Sequence, residues 1–316
     1  QYLICACAPR HENAPASMRT ALDADGRLLK QPDSPSAAVG AVRVVARSGG
    51  RVTPDGYSVN TSQPPYQPSG IQPAAGGSLD LADPKGDRSS EPVPPQTAHT
   101  VGDTLSARGV SWAWYSGGWN AAVADGRQPP GARRQVIYAG GPNSPIFQPH
   151  HQPFNYYARF APGTADRARH LKDGDELLRD AAAGTLPAVS FYKPAGRWSQ
   201  HPSYTDIKSG DEHMAMVLEK LRASPQWKDM LVVVTYDENG GYWDHVPPPS
   251  GPGWGDRFGP GTRIPALFIG PHVKRGHVDH TVYDTTSILK FITERWALEP
   301  LPGVRANVGN LGAVLQ

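Results

Sequence analysis

Apolar positions in this chain fall in short runs separated by long polar stretches, and the runs differ in period. Leu231-Val-Val-Val234 is a continuous apolar run that reads as a buried strand ending at Tyr236. Val110 to Tyr115, Ala188 to Tyr192 and Ile264 to Ile269 read the same way, and so do residues 1 to 8 and the Val-rich stretch 40 to 47. Helical spacing appears from Asp211 to Ser224, where Met214, Val217, Leu218 and Leu221 share a face. It recurs after Asp284, a predicted N-cap, with Ile288, Leu289, Ile292 and Trp296 in line and Pro300 and Pro302 as stops. A short helix is predicted over Thr100 to Arg108, and a polar one from Thr164 to about Ala182. The alternation of strand and helix predicts an α/β fold, with a mostly parallel central sheet flanked by helices.

Composition changes this picture in one region. The 34 Gly and 33 Pro are dense from Thr61 to about Thr97, which predicts a surface excursion from an otherwise single domain spanning 1–316. Charge is nearly balanced, at 31 basic and 29 acidic residues, which argues against a nucleic-acid partner. No apolar run approaches the roughly 18 residues of a membrane span, so no stable membrane insertion is expected. Cys5 and Cys7 are one residue apart, poor geometry for a mutual disulfide, and read as small buried strand residues.

Candidate chemistry gathers after the predicted strands, where α/β sheets place their ligands. The strand ending at Tyr236 delivers Asp237 and Glu238 to its C-terminal end, and Gly240 and Gly241 allow a sharp turn beyond. Adjacent carboxylates suit a hard metal ion, although an isolated Asp-Glu pair is more often a solvated turn. His150 and His151 lie in a loop bracketed by Pro149 and Pro153, and His201 lies beyond the strand ending at Tyr192, on the same sheet edge as Asp237. Imidazoles donate to phosphoryl oxygens, and a protonated one supplies the proton a leaving alkoxide needs. His245 reads as structural or paired with Asp244. No nucleophile is evident; Ser116-Gly-Gly is a weak candidate, and Gly-x-Ser-x-Gly and phosphate-loop motifs are absent.

Thr235-Tyr-Asp-Glu-Asn-Gly-Gly-Tyr-Trp-Asp-His-Val-Pro-Pro248 resembles the hallmark segment of the bacterial phosphoesterase family of non-haemolytic-type phospholipases C and acid phosphatases. Tyr57 to Pro68, Gly109 to Trp119, Phe147 to Phe154, Gly259 to Leu267 and Asp279 to Leu289 are similar to further family segments, with the Gln-Pro-His-His and Trp-Tyr-Ser-Gly-Gly-Trp versions nearer the acid phosphatase branch. The resemblance implies an alkaline-phosphatase-like sandwich and phosphoester hydrolysis through a transiently phosphorylated Ser or Thr. It implies that Asp237 and Glu238 are metal ligands and that His151 and His201 contact phosphate or the leaving group, with His150 in support. One divalent metal (Ca, Mg, Mn, Zn or Fe), a small phosphoester or phospholipid substrate and a periplasmic or secreted location follow from it. The family's Glu-Asn-x-Ser-Phe-Asp and Ser-x-x-Asn-His segments do not occur here, so the nucleophile, further metal ligands and the first strands of the sheet are expected to be missing from this chain. An acid phosphatase is the first expectation and a phospholipase C the second. A non-catalytic remnant that binds metal or phosphate is the third.

Overall fold

The computed structural model describes residues 1–20, 50–58, 61–83, 91–202, 204–242, 244–249, 254 and 259–316. The stretch expected as a strand over 40–47 lies outside them. The centre is a parallel three-stranded sheet in the order β2-β1-β3, built from β1 (Trp112–Ser116), β2 (Leu171–Asp173) and β3 (Val189–Lys193). Every residue of β1 is buried. Strand alternation sends its side chains into two layers. Trp112 and Trp114 join the larger core with Phe154, Phe160 and Leu289. Ala113 and Tyr115 face the other way, onto Leu177 and Val217.

Those layers are helical. α2 (Val101–Ala107) and α7 (Thr285–Trp296) supply the first, α5 (Gly174–Ala183) and α6 (Ile207–Arg222) the second. Their starts are fixed by side chains. Thr100 and Asp103, Asp173 and Glu176, and Asp284 and Ser287 each form reciprocal caps, and Asp206 caps α6. Each such cap contributes about 1 kcal/mol. The buried Asp284 carboxylate also pairs with Arg305. α3 (Trp119–Gly126) follows β1 directly.

Three expectations change. Residues 1–8 form a helical turn, α1 (Tyr2–Cys5), rather than a strand, with Ala6 in the left-handed region at φ 49°. That reversal brings Cys5 and Cys7 to a Cα–Cα distance of 5.1 Å and joins them in a disulfide, a pairing that an extended strand would have disfavoured. The helix expected from Thr164 to Ala182 is two helices, α4 (Ala165–His170) and α5, split by β2. Leu171 and Lys172 pair with Trp114 and Tyr115 instead of continuing the turn, because hydrogen bonding to the buried β1 satisfies their backbone better than solvent does.

The third change concerns β4 (Val232–Thr235). It pairs antiparallel with β5 (Ala266–Ile269) in a separate two-stranded ribbon and is only half-buried, not a member of the parallel sheet. The Pro- and Gly-rich stretch 61–97 has no helix or strand among its described residues, yet it is not peripheral: Gln67, Ser69 and Val93 are buried. Polar contacts stitch it down, with Asn155 Nδ2 donating to the Tyr66 carbonyl at 3.0 Å and Arg167 to the Gln67 carbonyl at 2.7 Å.

Candidate active site

The register of the sheet sets out one edge. Ser116 is opposite both Asp173 and Lys193, so all three mark the C-terminal ends of parallel strands. Backbone crowding there is severe: a Cβ on Gly117 would stand 2.2 Å from the Ala195 nitrogen, so only glycine fits. Asp173 turns away from the edge to cap α5 and to accept the Asn120 N–H at 2.8 Å.

The histidine loop is fixed to this edge through its main chain. Trp114 Nε1 and Ser116 Oγ both donate to the His151 carbonyl, at 2.8 and 2.9 Å. The Ser116 hydroxyl, the weak nucleophile candidate, is fully buried and committed to that bond, so it positions the loop and does not attack. His150 and His151 stand edge-to-face with ring centroids 4.8 Å apart. His150 Nδ1 is buried with no partner. Burial pushes the His150 imidazole down to about 4, helped by the positive charge of Lys193 and opposed by Asp237. Burial lowers His151 further, with Lys193, His150 and His201 adding to it. Both rings are therefore neutral near pH 7.

Lys193 is the residue that sequence reasoning missed. It closes β3 and donates from Nζ to Asp237 Oδ2 at 2.9 Å, joining the parallel sheet to the end of the ribbon. The signal was a charged residue directly after the apolar strand ending at Tyr192. Burial raises the Asp237 carboxyl, but the charge and hydrogen bond of Lys193, with His150 beside it, outweigh that and leave it below the usual carboxylate range. The Asp237 side chain is 65% exposed, so this pair contributes at most about 1 kcal/mol to stability.

His201 lies on the segment that follows β3, within electrostatic range of His150 and His151. Its Nδ1 lies 2.6 Å from the Pro202 carbonyl, a pure acceptor, so Nδ1 carries a proton and Nε2 is left for chemistry. Tyr204 stacks on its ring at 4.6 Å. Asp237 is thus tied to Lys193 with His150 beside it, and His201 stands within electrostatic range of the two imidazoles. Glu238 sits at the rim, where it acts on Tyr204 with Asp237 and accepts the Gly240 N–H at 2.6 Å. Gly240 and Gly241 have positive φ, as the sharp turn requires. Asp244 is held at about 2 by a double hydrogen bond from Arg263, and His245 is an exposed neighbour 3.7 Å away.

A metal centre is not complete among the described residues. No group of three or more His, Cys, Asp or Glu side chains suited to a metal occurs among the described residues. Asp237 and Glu238 offer two carboxylates, each already accepting a hydrogen bond, whereas a hard divalent ion takes about six oxygen ligands.

Lys193 stands at the C-terminal edge of the parallel sheet, the histidine loop is fixed to that edge, and Asp237 meets Lys193 from the end of the ribbon. The Phosphoesterase family profile matches residues 4–299, and the chain belongs to that family. It is 32% identical over 168 residues to a non-hemolytic phospholipase C of Pseudomonas aeruginosa, a match covering 43% of this chain and 24% of that protein. A non-hemolytic phospholipase C of Burkholderia pseudomallei is 32% identical over 234 residues, 62% of this chain and 32% of its own. The non-specific phospholipase C4 of Arabidopsis thaliana is 31% identical over 180 residues, 46% and 33% of the two chains. The chain therefore spans about a third or less of the length of these relatives. No helix among the described residues is long and apolar enough to cross a membrane.

Proposed function

We propose that the protein hydrolyses phosphoric esters, with the cluster around Lys193 as its phosphoryl-binding edge. The observation that carries this is Lys193 at the end of β3, bonded to Asp237 and flanked by the histidine loop that β1 holds in place, in a family of phosphoesterases. In this reading Lys193 and the neutral imidazoles of His150 and His151 receive phosphoryl oxygens, a preorganised set of donors aimed where charge collects. His201, with Nδ1 fixed on Pro202, accepts or delivers a proton at Nε2. A phosphate dianion raises the proton affinity of His150 on binding, which links turnover to moderately acidic pH. The nucleophilic Ser or Thr is assigned to residues outside 1–316, as the resemblance implies.

The names of the relatives favour a phospholipase C, for which a phosphatidylcholine-type phosphodiester is the substrate to try. The Gln148-Pro-His-His-Gln-Pro-Phe154 version of the histidine loop favours a phosphomonoesterase as the second reading. The Cys5–Cys7 disulfide favours a periplasmic or secreted location, since reducing cytosol does not maintain such bonds. The test is turnover by purified full-length protein of phosphatidylcholine and of a simple aryl phosphate. Release of diacylglycerol from the first selects the phospholipase reading, and release of inorganic phosphate from the second selects the phosphatase. Asp237→Asn is expected to cost about 100-fold or more in kcat/KM on whichever is cleaved. Full activity of that variant, or inertness of the wild type toward both, would sink the proposal.

A further inference from the structure

Two loops carry the proposed chemistry, and one side chain fastens them to each other. Gln200 directly precedes His201, and Tyr236 directly precedes Asp237. The Tyr236 hydroxyl donates to Gln200 Oε1. Gln200 makes this contact from a left-handed backbone, φ 60°, a region that side chains other than Asn, Asp and His seldom occupy. Such backbone outliers persist only where the surroundings over-determine them, and they gather at functional sites.

The surroundings here are visible. A Cβ at Gly210 would stand 2.3 Å from Gln200 Cγ and 2.8 Å from the Trp198 carbonyl oxygen, so the first turn of α6 presses on the segment from behind. One turn further along α6, the buried His213 lies flat on Trp198, with ring centroids 4.1 Å apart at 9°. The Nε2 of His213 also meets the Tyr192 hydroxyl at 2.6 Å, and Tyr192 is the neighbour of Lys193. The segment from Trp198 to His201 is therefore seated on α6 at one side and tied to Tyr236 at the other.

We propose that Gln200 is a positioning residue: through its left-handed backbone and its bond to Tyr236 it sets the separation of His201 and Asp237. This rests on the roles given above to His201 and Asp237, and deepens that reading by naming what aligns them. Misplacing a reacting group by about 1 Å costs on the order of 100-fold in rate, so a partial loosening is expected to cost about tenfold.

The test is a double-mutant cycle in the full-length protein. Gln200→Ala and Tyr236→Phe are each expected to lower kcat about tenfold with KM within about twofold, and the double variant to be no slower than the slower single one. Gln200→Asn suits the left-handed backbone better but falls one methylene short of Tyr236, so it is expected to behave like Gln200→Ala. The imidazole resonances of His201, followed by NMR, are expected to shift or broaden in all of these variants while the melting temperature holds. Multiplicative losses in the cycle, wild-type behaviour of Gln200→Asn, or an unmoved His201 signal in Gln200→Ala would each overturn the proposal. If the wild type cleaves no phosphoester, the functional reading fails by itself, and the His201 signal alone decides whether Gln200 positions that ring.

Discussion

The parallel sheet and the β4–β5 ribbon are both short and apolar, but they are built to different standards. β1 is buried along its whole length between two layers, and its tryptophans pack on Phe154 and Phe191 with ring centroids between 4.8 and 5.9 Å apart. The ribbon has no fully buried residue, and Leu267 in β5 is 58% exposed. The candidate site lies where the two meet: imidazoles and Lys193 come from the rigid side, Asp237 and Glu238 from the open one. Positions on the sheet therefore carry stability, whereas positions at the end of the ribbon carry chemistry with little stability attached.

The sharpest way to break this contrast is to cut into the rigid side. Phe154→Ala, at a fully buried ring packed on Trp112, Trp114 and Phe160, is expected to destabilise by about 3–5 kcal/mol in denaturant unfolding. Acid tests the same side more gently. The His150 imidazole sits near 6.5 unfolded and about 4 folded, so between those values the unfolded chain binds more protons. Stability is then expected to fall as pH drops from about 6.5 toward 4, by at most about 3 kcal/mol from this residue. His151, His170 and His213, all lowered first by burial, push the same way. Denaturation midpoints at pH 7.5 and 5 check this, and His150→Gln, which does not titrate, is expected to flatten the slope; a steeper slope would contradict it.

At the junction, Lys193→Met removes the tie to Asp237. It is expected to lower stability by no more than about 1 kcal/mol while abolishing most turnover. A large loss of stability there would mean that the ribbon is held far more tightly than its exposure suggests. On the ribbon itself, Leu267→Ser is expected to change stability by less than about 0.5 kcal/mol. A larger change would reveal a covering element for that face.

What could be read in advance follows the range of the interactions involved. α2, α6, α7, β1 and β3 were legible because their caps and periodicities are local: Thr100, Asp284 and the Met214-to-Leu221 face announce themselves in a few residues. β2 was not, because three residues embedded in a helical pattern become a strand only through pairing with β1. The apolar start failed for a related reason: a short apolar run suits a strand or a helical turn equally, and the turn at Ala6 decided it. β4 was legible as a strand, but its choice of β5 as an antiparallel partner was not, since partner choice is non-local. Within the site, Asp237, His150, His151 and His201 stood out through their motifs, and Asp237 and His150 lie at Lys193. Lys193 did not, because a single lysine after a strand looks like any solvated charge until Asp237 is seen 2.9 Å away.

The two hydrogen bonds donated to the His151 carbonyl bear on anything that binds there. Because Trp114 and Ser116 hold the main chain of that loop, its conformational freedom is largely removed when the protein folds, not when a ligand arrives. An incoming anion meets an ordered loop and loses little affinity to ordering its main chain. Selectivity at this edge then becomes a matter of which anions match a fixed shape.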